Sequence, residues 1–220
     1  MDGIIVVNKP AGITSHDVVS RVRRILNTRR VGHAGTLDPL ATGVLIMLIG
    51  KSTKLFDKFV AFDKAYAATL KLGTQTTSAD ITGEVLEERP FSHIAQAQVE
   101  EAFRPFVGEL EQMPPMVSAV KFKGERLYRL ARKGVVVDRP SRKIRIDVLK
   151  LVSFKLPEVQ FYLECSKGTY VRTLAEDVGA KLGCGACITQ IERTKVGHFL
   201  LKDAVKLEDL NESHVRNWQG

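Results

Sequence analysis

Two apolar runs of strand length stand out when hydrophobic positions are followed along the chain. Ile4-Ile5-Val6-Val7 and Val44-Leu45-Ile46-Met47-Leu48-Ile49 both predict buried strands. Between them, Val18, Val22 and Ile25, with Val19 and Leu26, recur at helical spacing. Thr14 or Ser15 offers an N-cap and Asp17 sits in the favoured first turn, so a helix is predicted to about Asn27. From Ala65 the period changes to two: Tyr66, Ala68, Leu70 and Leu72 face one way, Ala65, Ala67, Thr69 and Lys71 the other. Thr74 to Gly83 is polar and short-chained, hence a loop, with Asp80 a turn residue and only a weak site candidate. Ser92 begins a further helix pattern (Ile94, Val99, Phe103, Phe106) that Gly108 ends.

The second half repeats these themes. Ile144, Ile146 and Val148 alternate, and the phase slips at Leu149 and Leu151, as a bulge would make it. Lys155 to Glu158 turns into a second alternating strand, Val159, Phe161, Leu163 and Cys165, which predicts an antiparallel hairpin. Thr169 can cap a helix with the stripe Val171, Leu174, Val178 and Leu182, stopped by Gly183, with Arg172 off that stripe. Ile188 to Phe199 reads as a last strand region and Asp203 to Leu210 as a short closing helix. Hairpins mixed with helices predict an α+β fold around a mixed, mainly antiparallel sheet flanked by helices.

Charge changes this picture in one place. The net charge of the 220 residues is +8, and Gln112 to Arg145 alone holds ten Lys or Arg against Glu125 and Asp138. The excess is therefore concentrated on one segment, which begins at the chain-breaking Met113-Pro114-Pro115-Met116. It mixes the bases with Val120, Phe122, Leu127, Tyr128 and Leu130, and carries its own small helix near Arg126 to Lys133. Basic and aromatic residues interleaved on an excursion suit a flap over folded RNA. A second basic cluster is Arg21, Arg23, Arg24, Arg29 and Arg30. No apolar run approaches a membrane span, no signal peptide is visible, and three cysteines form no even disulfide framework, which together favour a cytoplasmic protein. Cys184-Gly-Ala-Cys187 has metal or redox spacing, but without a second pair it reads as packing.

Candidate chemistry gathers between the first helix and the second apolar run, in Gly32-His-Ala-Gly-Thr-Leu-Asp-Pro-Leu-Ala-Thr-Gly43. Pro39 biases Asp38 away from helix, onto a turn or an extended corner at the mouth of a core strand. Locally, Asp38 has two readings: a turn cap, or a nucleophilic carboxylate on a stiff loop. Neither a Ser-His-Asp set nor a Walker-type phosphate loop is present.

Four stretches together carry a resemblance. Asn8-Lys-Pro-Ala-Gly-Ile-Thr-Ser15, Gly32 to Gly43, Lys64-Ala-Tyr66 and Lys167-Gly-Thr-Tyr-Val-Arg-Thr-Leu174 resemble, in order, the motifs of the TruB family of tRNA pseudouridine-55 synthases. The resemblance implies a pseudouridine synthase fold and the isomerisation of a T-loop uridine of tRNA to pseudouridine, without metal or cofactor. It implies Asp38 as nucleophile, Tyr66 stacked on the uracil and taking part in proton transfer, and Arg172 paired with Asp38. A neighbouring guanidinium would keep that carboxylate ionised and fix its direction. Tyr170 and Ile191 match positions lining the base pocket, His33 the residue that enters the T loop, and Gln112 to Arg142 a mobile thumb inserted in the catalytic domain. The expected organisation is one catalytic domain over residues 1–220, acting on the tRNA T arm as a monomer with no protein partner, no membrane and no C-terminal RNA-binding domain. One departure is Glu192-Arg193, where the family often has two adjacent arginines.

Overall fold

The computed structural model describes residues 1–118, 121–122, 124–127, 130, 135 and 137–218. The chain divides into two compact units, residues 1–66 with 191–220, and residues 67–190.

The first unit opens with β1 (Gly3–Lys9), then helix α1 (Ser15–Ile25). Thr14 and Asp17 close a reciprocal capping box at the start of α1. Leu26 caps its other end and Asn27, at φ 45°, turns the chain out. β2 (Val31–Ala34), β3 (Thr42–Ile49) and the short α2 (Phe56–Val60) follow, and β4 (Lys64–Leu72) leads out of the unit. β3 pairs antiparallel with β1 along its whole length and with β2 near its end. Its apolar run is continuous because both faces are covered. Leu45, Met47 and Ile49 join Val18, Val19 and Val22 of α1 in one core. Val44, Ile46 and Leu48 join Phe59 of α2 and Phe199 in another.

In the second unit, β5 (Thr74–Thr76) pairs with β6 (Val85–Glu88), and α3 (Gln96–Phe103) precedes β7 (Gly108–Gln112). β8 (Lys121–Phe122) and β9 (Glu125–Arg126) form a small hairpin. The expected thumb helix near Arg126 to Lys133 falls mostly outside the described residues, as do Lys123, Arg129, Arg132 and Lys133. β10 (Arg142–Lys155) and β11 (Glu158–Cys165) form the expected antiparallel hairpin, and the anticipated slip appears as register shifts at Ile146/Val148 and Leu151/Ser153. Helix α4 (Val171–Lys181) and β12 (Ala186–Val196) close the unit. β12 continues into the first unit, where β13 (Phe199–Leu200) pairs with it and β14 (Val205–Lys206) lies parallel to β1. The α+β class and the mainly antiparallel pairing are those expected.

Four local expectations fail for identifiable reasons. Asp203 to Leu210 forms no α-helix: Val205 and Lys206 pair with Val7 and Asn8, and completing a sheet edge outweighs weak helical periodicity. The helix expected from Ser92 starts at Gln96, because the Gln98 side chain accepts the Ala95 N–H and sets the start there. Thr74 to Thr76 joins a strand pair rather than a loop. Thr169 spends its hydroxyl on the Ser166 carbonyl, leaving Tyr170 at the N-cap of α4.

Gly179 shows how tightly α4 packs. A Cβ there would lie 2.2 Å from the Ala186 backbone nitrogen. In an exposed helix Gly→Ala usually stabilises by about 1 kcal/mol. Here Gly179→Ala should instead destabilise by about 1–3 kcal/mol, read as a lower midpoint in chemical denaturation.

Candidate active site

Asp38 sits in the irregular link between β2 and β3, half-buried, in a segment held from several sides. On one flank, Ser15 grips Leu37 twice: its hydroxyl donates to the Leu37 carbonyl at 3.0 Å and accepts the Leu37 N–H at 2.8 Å. On the other flank, the Pro39 carbonyl accepts the Gly12 N–H at 2.8 Å and the Lys9 ammonium at 3.3 Å. Ala41 N–H returns to the Asp38 carbonyl at 3.0 Å, closing a tight turn. The neighbours of Asp38 on both sides are thus fixed by the first loop and the first turn of α1. Pro39 adds its own stiffness in φ.

In the sequence Lys9 stands out only as a member of the Asn8 to Ser15 motif stretch. It is fully buried at the end of β1, and its ammonium also donates to the carbonyls of Pro10 and Ile13 at 2.8 Å each. Burial pushes its pKa down from 10.5 to about 8; the Asp38 charge opposes that fall and the Arg193 charge deepens it. Lys9 therefore senses Asp38 electrostatically. Arg193, 2% exposed in β12, donates to the carbonyls of Val44 at 2.7 Å and Gly35 at 2.9 Å. The loop of a half-buried carboxylate is braced by two buried cations whose hydrogen bonds go to main-chain carbonyls.

Three other expected residues share this unit. His33, half-buried in β2, lies opposite Met47. Tyr66 is buried in β4, and Ile191 of β12 packs against the core that contains Leu37 and Ala41.

Tyr170 and Arg172 belong to the second unit. The Gln112 side chain clamps Tyr170, accepting its N–H at 2.7 Å and donating to its carbonyl at 3.0 Å, while Arg142 lies 5.8 Å from the ring centroid. Arg172 is 4% exposed, so a surface role is ruled out for it. It donates to the carbonyls of Ser78 and Val117, each at 2.7 Å, and lies 3.8 Å from the Asp80 carboxylate. Asp80 is also buried, and accepts from the Ser78 hydroxyl at 2.8 Å and the Thr82 N–H at 3.0 Å. Between them, Ala79 is held at φ 60°, a left-handed conformation that costs a non-glycine residue about 1–3 kcal/mol. One turn beyond Arg172, burial raises the Glu176 carboxyl pKa; Asp177 adds to the rise, and Arg172 and Arg139 oppose it. The three cysteines are buried and unbridged, and among the described residues no three His, Cys, Asp or Glu side chains cluster to hold a metal.

Sequence reasoning missed Lys9, Ser15, Gln112 and Arg193 as supports and underrated Asp80. Lys9 and Ser15 lay inside a recognised motif, but no local pattern separates a buried lysine from a turn lysine.

Comparison with known proteins bears on the whole chain. A family model described as "TruB family pseudouridylate synthase (N terminal domain)" matches residues 23–171, and one described as "tRNA pseudouridylate synthase B C-terminal domain" matches residues 172–219. A tRNA pseudouridine synthase B from Clostridium tetani is 48% identical over 99% of this chain and 75% of its own length. One from Opitutus terrae is 48% identical over 94% of this chain and 86% of its own. Among solved structures, a chain of a Cbf5-Nop10-Gar1 complex aligns at 29% identity with a TM-score of 0.74 over 94% of this chain. A chain of an H/ACA RNP bound to a substrate RNA containing 2'-deoxyuridine aligns at 25% identity with a TM-score of 0.70. This chain spans about half the length of both solved chains, 53% and 52%.

The Lys9–Asp38 coupling has a spectroscopic consequence. Lys9 should titrate in the folded protein near pH 8 by ¹⁵Nζ NMR, and Asp38→Asn, which removes the opposing charge, should lower that midpoint. Its folded pKa lies below the unfolded value, so from pH about 8 to about 10.5 the unfolded state holds more protons and stability due to Lys9 rises with pH. The unfolding free energy of the wild type should therefore gain on that of Lys9→Met across this window.

Proposed function

The chain belongs to the TruB family of pseudouridylate synthases, and from that premise we propose that it isomerises uridine 55 in the T loop of tRNA with Asp38 as nucleophile. The observation that carries this reading is the bracing of Asp38: Leu37 and Pro39 are both tethered, so the carboxylate is presented from a preorganised backbone. In the reaction the N-glycosidic bond of uridine breaks, the uracil turns, and a carbon of the ring bonds to the sugar. That carbon gives up its proton and the freed nitrogen regains one, so no oxidant or reductant is consumed. Neither a metal nor a cofactor is needed.

The remaining roles follow the same reading. Arg172 pairs with Asp38 and keeps it ionised in a desolvated pocket, while its bonds to Ser78 and Val117 and its proximity to Asp80 fix the guanidinium. Tyr66 stacks on the uracil and takes part in proton transfer, and Tyr170 and Ile191 line the base pocket. His33 enters the T loop where the base has left it, offsetting part of the few kcal/mol that extrusion costs. The basic segment from Gln112 to Arg142 closes on the T arm as a thumb. The enzyme acts in the cytoplasm as a monomer, without a protein partner.

The test is to incubate unmodified tRNA transcript with purified protein and map pseudouridine by position. Modification at position 55 is expected with no partner added and with EDTA present. Asp38→Asn and Asp38→Ala should abolish it while RNA binding is retained; full activity in either would overturn the assignment. Arg172→Met should slow turnover by about 100-fold, the usual scale for losing one preorganised charge partner.

A further inference from the structure

Two of the three glycines that mark the Asp38 segment stand against a single distant residue, Arg193. Gly35 and Gly43 both have left-handed backbones, at φ 85° and 99°. A Cβ on Gly43 would lie 2.3 Å from the Arg193 carbonyl oxygen, and one on Gly35 would lie 3.5 Å from Arg193 Nη1. The same guanidinium donates to the Gly35 carbonyl at one end of the loop and to the Val44 carbonyl at the other. The Arg193 backbone completes the grip, pairing in parallel with Gly43. Gly32, by contrast, has no positive φ and only a Thr53 methyl at 3.9 Å.

We propose that Arg193 is a positioning residue for isomerisation: its planar fork ties both ends of the Asp38 loop together and sets where the carboxylate stands. The proposal rests on Asp38 being the nucleophile. Ser15, Gly12 and Lys9 hold the flanks of Asp38 against the first loop and helix, but they do not span the loop's mouth. Arg193 does, and its shape matters because two carbonyls in different directions are served by one rigid group. A lysine keeps the charge but offers a point donor that cannot hold the same two acceptors in the same geometry. Arg193 also supplies a permanent positive charge felt by Lys9.

The experiment compares Arg193→Lys and Arg193→Met with the wild type on unmodified tRNA transcript, at a temperature where circular dichroism shows each protein folded. Arg193→Lys should keep KM for tRNA and lower kcat by about 10- to 100-fold, the scale of a small misplacement of a reacting group. A purely structural role would lower the melting temperature and leave kcat of the folded enzyme unchanged. Arg193→Met should in addition raise the Lys9 titration midpoint above about 8, whereas Arg193→Lys should leave it near that value. Should Arg193→Lys have no folded range, Gly35→Ala takes its place, since a side chain at φ 85° strains the backbone whose carbonyl the guanidinium holds, and the same kcat loss at constant KM is expected. Wild-type kcat in the variant beside an inactive Asp38→Asn overturns the role of Arg193 alone. An active Asp38→Asn overturns the nucleophile assignment instead. An unmoved Lys9 midpoint in Arg193→Met also counts against the proposal.

Discussion

Everything in the first unit bends around the burial of two cations beneath one loop. Removing a charge from water costs several kcal/mol unless something replaces its hydration. Lys9 and Arg193 meet that cost with carbonyl dipoles, five in all: Pro10, Ile13 and Pro39 for one, Gly35 and Val44 for the other. Carbonyls free to serve in this way come mainly from backbone outside regular pairing. The irregular stretches at residues 10–14 and 35–41 supply most of them. The loop is therefore shaped by the cations as much as the cations are accommodated by the loop.

This arrangement has an electrostatic corollary for a carboxylate nearby. The Lys9 ammonium feels both the Asp38 carboxylate and the Arg193 guanidinium, so the three charges are coupled across one loop. The second unit repeats the pattern. Arg172 is held by two carbonyls, with Asp80 3.8 Å away, and Asp80 is itself saturated by Ser78 and Thr82. In both places a guanidinium is given two fixed main-chain acceptors, which orients it before any substrate arrives. Preorganisation of this kind reduces what the reaction itself must reorganise.

Much of this was legible beforehand, and the gaps have a common cause. β3 was readable because six consecutive apolar residues have no better place than a core covered on both faces. The hairpin of β10 and β11 was readable down to its slipped register. Asp38 by itself was ambiguous, and only the resemblance carried by the four motif stretches pointed to catalysis. What stayed hidden depends on contacts far apart in sequence: Ser15 to Leu37 across 22 residues, Tyr170 to Gln112 across 58, Arg172 to Ser78 across 94. β14 was misread for the same reason, since its strand state exists only through β1. Local periodicity carries no record of such partners.

The longest of these contacts constrains how the protein comes into being. Arg193 and Gly35 are separated by 158 residues. At roughly 5–20 residues per second of synthesis, the loop bearing Asp38 exists for on the order of ten seconds before its staple has been made. β1, α1 and β3 can begin to collapse during that interval, but their core is completed only by later sequence, Leu207 and Leu210 on one face and Val196 and Phe199 on the other. Lys9 can enter its nest with them. The mouth of the loop cannot close until β12 arrives beside Gly43. A nascent chain thus passes through a state in which the loop bearing Asp38 is still open, and the loop closes only once β12 has been made.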